Sequence, residues 1–265
     1  MFNPNELILE KIRSVEEYDP ATDELVGRYT QIEEPSLQTS ADAADVVDAM
    51  GTPIHTFYRN TQGTFSFTNS LFSLDLAASQ FGVKKQTASS ESKIIVPVSE
   101  TITIGSNGSV VLKYTPVGTE GAEIKYVKII NDSNTFGDTY TITASSPTGK
   151  QFTLNKETKT ITLPSDTKGR VFVSYNRESD AAVMVSKSSD TNVLVRKLLI
   201  HAIFHDPCNA NIVYAGVIQC PRAQIDPTSV EIGLAHDSKH AASYQLKKAY
   251  CDESAKLFDI IVSEE

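Results

Sequence analysis

The sequence predicts a mainly β protein that carries one short helix, and three observations predict it. Threonine, serine and β-branched residues are plentiful and glycine and proline punctuate at short intervals, the composition of short strands joined by turns. Segments of alternating apolar and polar residues recur along most of the 265-residue chain. One stretch, GTFSFTNSLFSLDLAASQFG (63–82), changes its hydrophobic period half-way along, from two to between three and four.

ELILEKIRSVEE (6–17) sets Ile8, Ile12 and Val15 at helical spacing but Leu7 and Leu9 in alternation. The strand reading is preferred because Asp19-Pro20-Ala21-Thr22-Asp23 is a turn cluster and LVGRYTQIEE (25–34) reads as a returning partner. Pro35, which lacks a donor, is expected to end that pairing. ADVVDAMG and PIHTFYRN flank Gly51-Thr52 and read as a second hairpin.

In the next stretch Phe65 and Phe67 share one face of a strand, with Thr64, Ser66 and Thr68 on the other. Leu71, Leu74, Ala78 and Phe81 then fall at offsets of three, four and three, the spacing of a helix with one buried stripe. Thr68, Asn69 or Ser70 offers an N-cap oxygen, Asp75 suits the positive end of the helix dipole, and Gly82 stands where a left-handed C-terminal residue is wanted.

Two polar, serine-rich stretches, QTASSESK (86–93) and SKSSDTN (186–192), enclose about a hundred residues of uninterrupted β pattern. ETITIGSNGSVVLKYTP reads as a hairpin about Asn107-Gly108, a pair that accepts the positive φ of a tight turn. EIKYVKII, DTYTITAS, QFTLN, KTITLP and RVFVSY follow as further strands, a spacing that suggests a sandwich of immunoglobulin type, without the Cys…Trp…Cys signature. After 192, VLVRKLLIHAIF, NIVYAGVIQC, SVEIGLAH, SYQLKKAYC and KLFDIIVSE are again mostly strand-like; the first is compatible with a helix on pattern, but its Val, Ile and Phe content favours a buried strand. The domains expected are therefore 1–91 with 192–265, and an inserted or elaborated sandwich at 92–191.

Charge is unevenly placed. Residues 1–50 hold twelve acids and three bases, which accounts for the whole net charge of −9; the other 215 residues are neutral, with 21 of each. Such an N-terminal stretch repels nucleic acid, since phosphate contacts need Lys and Arg. No apolar run approaches a membrane span, and MFNPNELILEKIR lacks the basic region and apolar core of a secretion signal. Cys208, Cys220 and Cys251, three at irregular spacing, argue against a disulfide framework and for a reducing compartment.

The chain offers little chemistry. His201, His205 and Cys208 fall at i, i+4, i+7, but no second half of a zinc motif follows and Asp206-Pro207 breaks the element. Walker-type loops, GxGxxG, GxSxG and HExxH are absent, so neither catalysis nor a cofactor is expected. Asn107-Gly108-Ser109 and Asn131-Asp132-Ser133 match the glycosylation tripeptide, a short pattern common by chance.

The order of elements (an acidic N-terminal hairpin, the 63–82 strand–helix unit and a closing KLFDIIVSEE strand) resembles the tail tube proteins of tailed bacteriophages. PIHTFYRNTQGTFSFTNSLFSLDL and SYQLKKAYCDESAKLFDIIVSE carry the resemblance most strongly, and it covers residues 1–91 and 192–265. It implies a β-sandwich or half-barrel with one helix beside it, and six-fold rings whose inner strands join into one barrel. The stacked rings form the channel for DNA ejection. The implied partners are other copies of the chain, tail sheath, tape-measure and terminator proteins, and DNA that passes without sequence-specific binding, with no membrane. The implied location is the virion tail, assembled in the host cytoplasm.

On that reading part of the acidic set lines the channel, Glu6, Glu10, Glu16 and Glu17 being the expected members, because carboxylates repel sliding phosphates. Two other classes remain open. A capsid decoration or other β-sandwich virion surface protein shares the enzyme-free β character. A carbohydrate-binding or adhesive module displays exposed aromatics, and the absence of tryptophan counts against it.

Overall fold

Alternation dominates the chain, and 56% of it is strand. The computed structural model describes residues 6–209, 211–227, 230, 232–233, 236, 239–248 and 255–263. The chain divides into two units, residues 1–85 with 185–265, and residues 86–184.

The first unit begins with β1 (Ile8–Tyr18), β2 (Leu25–Tyr29), β3 (Ile32–Val47), β4 (Pro53–Asn69) and α1 (Leu74–Phe81). The second holds β5 (Gln86–Thr87), β6 (Ile94–Thr103), β7 (Ser109–Val111), β8 (Ile124–Ile130), β9 (Phe136–Ile142), β10 (Gln151–Asn155), β11 (Thr160–Thr162), β12 (Arg170–Ser179) and β13 (Val183–Met184). The chain then returns to the first unit with β14 (Val195–His205), β15 (Val213–Ile225), β16 (His240–Leu246) and β17 (Asp259–Ser263).

In the first unit one curled half-barrel sheet runs β2-β1-β14-β15-β16-β4-β3, and β17 joins beside β15. Every pairing is antiparallel. β14 shows why the sheet has one dry face: Arg196, Leu198, Ile200 and Ala202 are buried, and the residues between them are half-buried. Phe65, Phe67, Val15, Leu76 and Tyr244 complete that core.

The helix starts later than the apolar spacing predicts. Asn69 is still strand, Ser73 is the N-cap whose hydroxyl accepts from Leu76 N–H, and Gly82 closes the helix at φ 70°. Leu71 therefore lies outside the helix, 61% exposed, and Leu74 is also exposed; of the expected stripe Ala78 is buried and Phe81 half-buried. The buried run is Leu76–Gln80. Two polar residues belong to it because each has a partner: Ser79 donates to Glu17, and Gln80 donates to the Ala241 carbonyl.

His240 ties α1 to β16. Its Nδ1 accepts from Ser73 N–H, so Nε2 carries the proton and donates to Gln80 Oε1 at 2.8 Å. Burial lowers its pKa, which keeps the ring neutral for both bonds.

Pro35 does not end the strand. β3 gains one extra residue between Glu33 and Ser36, Glu34 takes φ 48°, and pairing with β4 resumes. A bulge is where an edge strand tolerates proline.

In the second unit seven strands run β6-β12-β8-β9-β10-β11-β7 around a core of Val110, Phe152, Ile161, Val171, Val173 and Tyr175. β5 and β13 pair as a separate ribbon. Asn107-Gly108 is not a hairpin, because β6 pairs with β12 and β7 with β11. Both residues do take positive φ, 60° and 73°, but the turn carries the chain from β6 at one end of the strand order to β7 at the other. Glycine is required at 108, where a Cβ would stand 2.4 Å from the Leu163 carbonyl oxygen.

Candidate assembly surface

β1 is a strand in two parts. Residues 15–18 pair with β2 on one side and β14 on the other, whereas residues 8–14 pair with β14 alone among the described residues. At the other end, β17 pairs with β15 along 215–219 and with no other described strand. The stretch β1(8–14)-β14-β15-β17 is thus four antiparallel strands with two edges that no described residue pairs. Bare apolar side chains lie along it beside the exposed charges of Glu10, Lys11 and Arg13: Ile8, Leu9, Val213, Ile260 and Ile261 are each more than half exposed. Proteins normally blunt such edges with charge, proline or a cover.

A second exposed feature is the distal part of the β3–β4 hairpin. Past Gly63, where β16 stops, these two strands pair only with each other among the described residues. Asp48 shapes the tip by accepting from Met50 and Thr52 N–H, and Asn60, at φ 53°, sits at a one-residue bulge and donates to Asp42. The arm reaches roughly 25 Å from Ser40 to Val47 at strand rise. It carries Met50 at 91% exposure, Tyr58 at 72% and Ile54 at 68%. An isolated two-stranded ribbon is only marginally stable in water.

The acidic residues read from the sequence separate here. Glu6 is exposed just ahead of β1. Glu10 and Glu16 lie on the face turned away from α1. Glu10 meets His205 Nε2 at 2.6 Å and Lys11 at 3.2 Å, and these bonds, the His205 contact foremost, hold its pKa below the usual value. Partial burial would raise Glu16, but hydrogen bonds from Tyr18 at 2.8 Å and from His201 at 3.3 Å outweigh it. Arg28 completes that cluster at 3.2 Å.

Glu17 corrects the expectation. One residue on, it points to the opposite face, is fully buried, and accepts from the hydroxyls of Tyr29, Ser79 and Tyr244. Burial raises its pKa against the pull of those three bonds and of Arg196. It knots β1, β2, α1 and β16 together and cannot line any channel.

The sequence reading missed the histidine pairing, though its signal was present: His201 and His205 are four apart on a strand, hence on one face, and β1 lies alongside. Cys208 stands in the turn after β14, with its N–H bonded to Asp206, and Cys220 is buried in the core. These residues form no metal cluster; among the described residues no group of three His, Cys, Asp or Glu could hold one. Cys251 lies outside the described residues. No helix among the described residues is long and apolar enough to cross a membrane.

Curated proteins include no match to the chain. The profile of the YomU/Tube protein family matches residues 7–260, which takes in the arm, the helix, all of the second unit and the four-stranded stretch up to the start of β17. The chain belongs to the YomU/Tube protein family, a family of phage structural proteins.

Proposed function

We propose that this chain is the repeating subunit of a phage tail tube, and that copies join sheet edge to sheet edge into stacked rings that form the channel for DNA ejection. The carrying observation is the four-stranded stretch with two unpaired edges. β1 and β17 run in opposite senses, because three antiparallel steps separate them. Placing β17 of one copy beside residues 8–14 of the next therefore continues the antiparallel alternation, and the contact is head to tail, the kind that closes into a ring.

The tube resemblance supplies six as the number of copies. Twenty-four strands about 4.8 Å apart and tilted roughly 40° close a barrel about 48 Å across between backbones. That leaves room for a DNA duplex inside the side chains. With α1 on the outer side, the inner face carries Glu10 and Glu16 and also His201, His205 and Lys197. The channel wall on this reading is a mixed, mutually paired surface and not a bare acidic one. The arm of residues 40–62 gains its missing cover by lying on the adjacent ring. Sheath, tape-measure and terminator proteins would meet the outer and end surfaces, in a virion tail.

Imaging the purified protein by negative stain across a concentration series, with light scattering on the same samples, tests this reading. Rings or hollow tubes are expected to form as concentration rises through the micromolar range. A protein that stays monomeric throughout would refute it.

A further inference from the structure

The second unit has an outward sheet face that the tube reading does not use. In β6-β12-β8-β9 the ladder sets Thr101, Phe172, Lys128 and Thr139 side by side in one row. The next row on the same face is Ser99, Ser174 and Tyr126. On the other flank Arg170 and Ile130 lead to Phe136. Tyr126 is 44% exposed and Phe136 60%, with half-buried Phe172 between them.

The rings form one group. The Tyr126 and Phe172 centroids are 6.4 Å apart and nearly parallel, at 22°, and Phe136 stands edge-on to Phe172 at 5.3 Å. Lys128 Nζ lies over two of them, 5.9 Å from Tyr126 and 5.8 Å from Phe136. Arg170 is held by Asn134 at 2.9 Å.

The company of these rings decides what they suit. Protein contact patches surround aromatics with Met and Arg and are poor in Lys and Ser. Here the neighbours are serine and threonine hydroxyls, one lysine and one arginine, with no methionine and Ile130 the one aliphatic residue. Sugar rings stack their C–H faces on aromatics while their hydroxyls bond to such polar neighbours. Charge narrows the class. None of these positions is acidic in a chain of net charge −9, and two are cationic.

We propose that this face binds an acidic polysaccharide, with Tyr126, Phe172 and Phe136 stacking on successive sugars and Lys128 and Arg170 meeting their carboxylates. The exposed-aromatic criterion that counted against a carbohydrate-binding module in the sequence is met here by tyrosine and phenylalanine. The inference does not rest on ring assembly.

Affinity electrophoresis of the full chain through gels holding polygalacturonate, alginate or hyaluronan, with dextran as the neutral polymer, tests it. Retardation by at least one acidic polymer and little by dextran is expected. Tyr126→Ala and Phe136→Ala, both at exposed positions, should each weaken it roughly three- to tenfold, with unchanged melting temperature. Lys128→Gln should weaken it and flatten its salt dependence. The proposal is overturned by migration unaffected by all three acidic polymers, or by retardation that the ring variants leave intact. Equal retardation by dextran would overturn the acidic preference. Variants that change only the oligomeric state would assign the face to a protein contact instead.

Discussion

Residues 15–18 and residues 8–14 of β1 continue one ladder with β14, yet they meet different surroundings. The later part has β2 at its edge, α1 over its face and Glu17 knotted to three hydroxyls from three other elements. The earlier part has an edge that no described residue pairs and the bare apolar side chains of Ile8 and Leu9. The β3–β4 hairpin repeats the contrast: below Gly63 it carries buried Phe65 and Phe67, and above it exposed Ile54 and Tyr58. The monomer thus completes its core in one region and leaves strand edges and apolar surface unfinished in two others. Stability and assembly should separate along the same line.

The largest expected effect is in the finished region. Glu17→Ala leaves Tyr29, Tyr244 and Ser79 without an acceptor and Arg196 without its nearby charge, and should cost about 3–5 kcal/mol in urea unfolding of the first unit. Leu76→Ala, at a fully buried helix position, should cost about 2–5 kcal/mol by the same measurement. Equal stability in either variant would break the comparison at its root.

The unfinished region should answer in the opposite way. Replacing residues 42–59 with a short turn should shift the melting temperature little while abolishing higher assemblies, scored by light scattering. If the truncation melts the monomer instead, the arm belongs to the core and the contrast fails.

Acid should produce the smallest effect, and its sign differs between the two faces of β1. Glu10 and Glu16 have depressed folded pKa values, so the folded chain binds fewer protons and the stability they add is lost as pH falls below the free value of 4.5. Glu17 is raised, so its contribution declines as pH climbs above 4.5. Glu16→Gln should therefore flatten only the acid limb of a stability–pH curve, and Glu17→Gln only the rise side, both read by thermal melts.

Much of the fold was legible in the sequence because alternation reports directly on half-buried strands, as on the Phe65–Phe67 face; the β14 segment is open to a helical reading on pattern, and its Val, Ile and Phe content decided for strand. What was illegible depended on partners remote in sequence. Ser79 and Gln80 look like the polar face of a helix until Glu17, His240 and Ala241 are beside them. Glu17 is indistinguishable from Glu16 in composition, and one step of the strand sends one to each face. Asn107-Gly108 states its φ demand correctly but not which strands it joins. The hairpin of ADVVDAMG and PIHTFYRN was readable, but that β16 pairing ends at Gly63 and leaves Val46, Phe57 and Tyr58 exposed was not.

A reconstruction of the assembled protein by electron cryomicroscopy tests the central claim most directly. The account predicts a closed barrel in which β17 of each copy is hydrogen-bonded to residues 8–14 of its neighbour, with Glu10 and Glu16 on the inner wall. A ring or tube whose copies leave both of those edges unpaired, or a protein that never assembles, would contradict it.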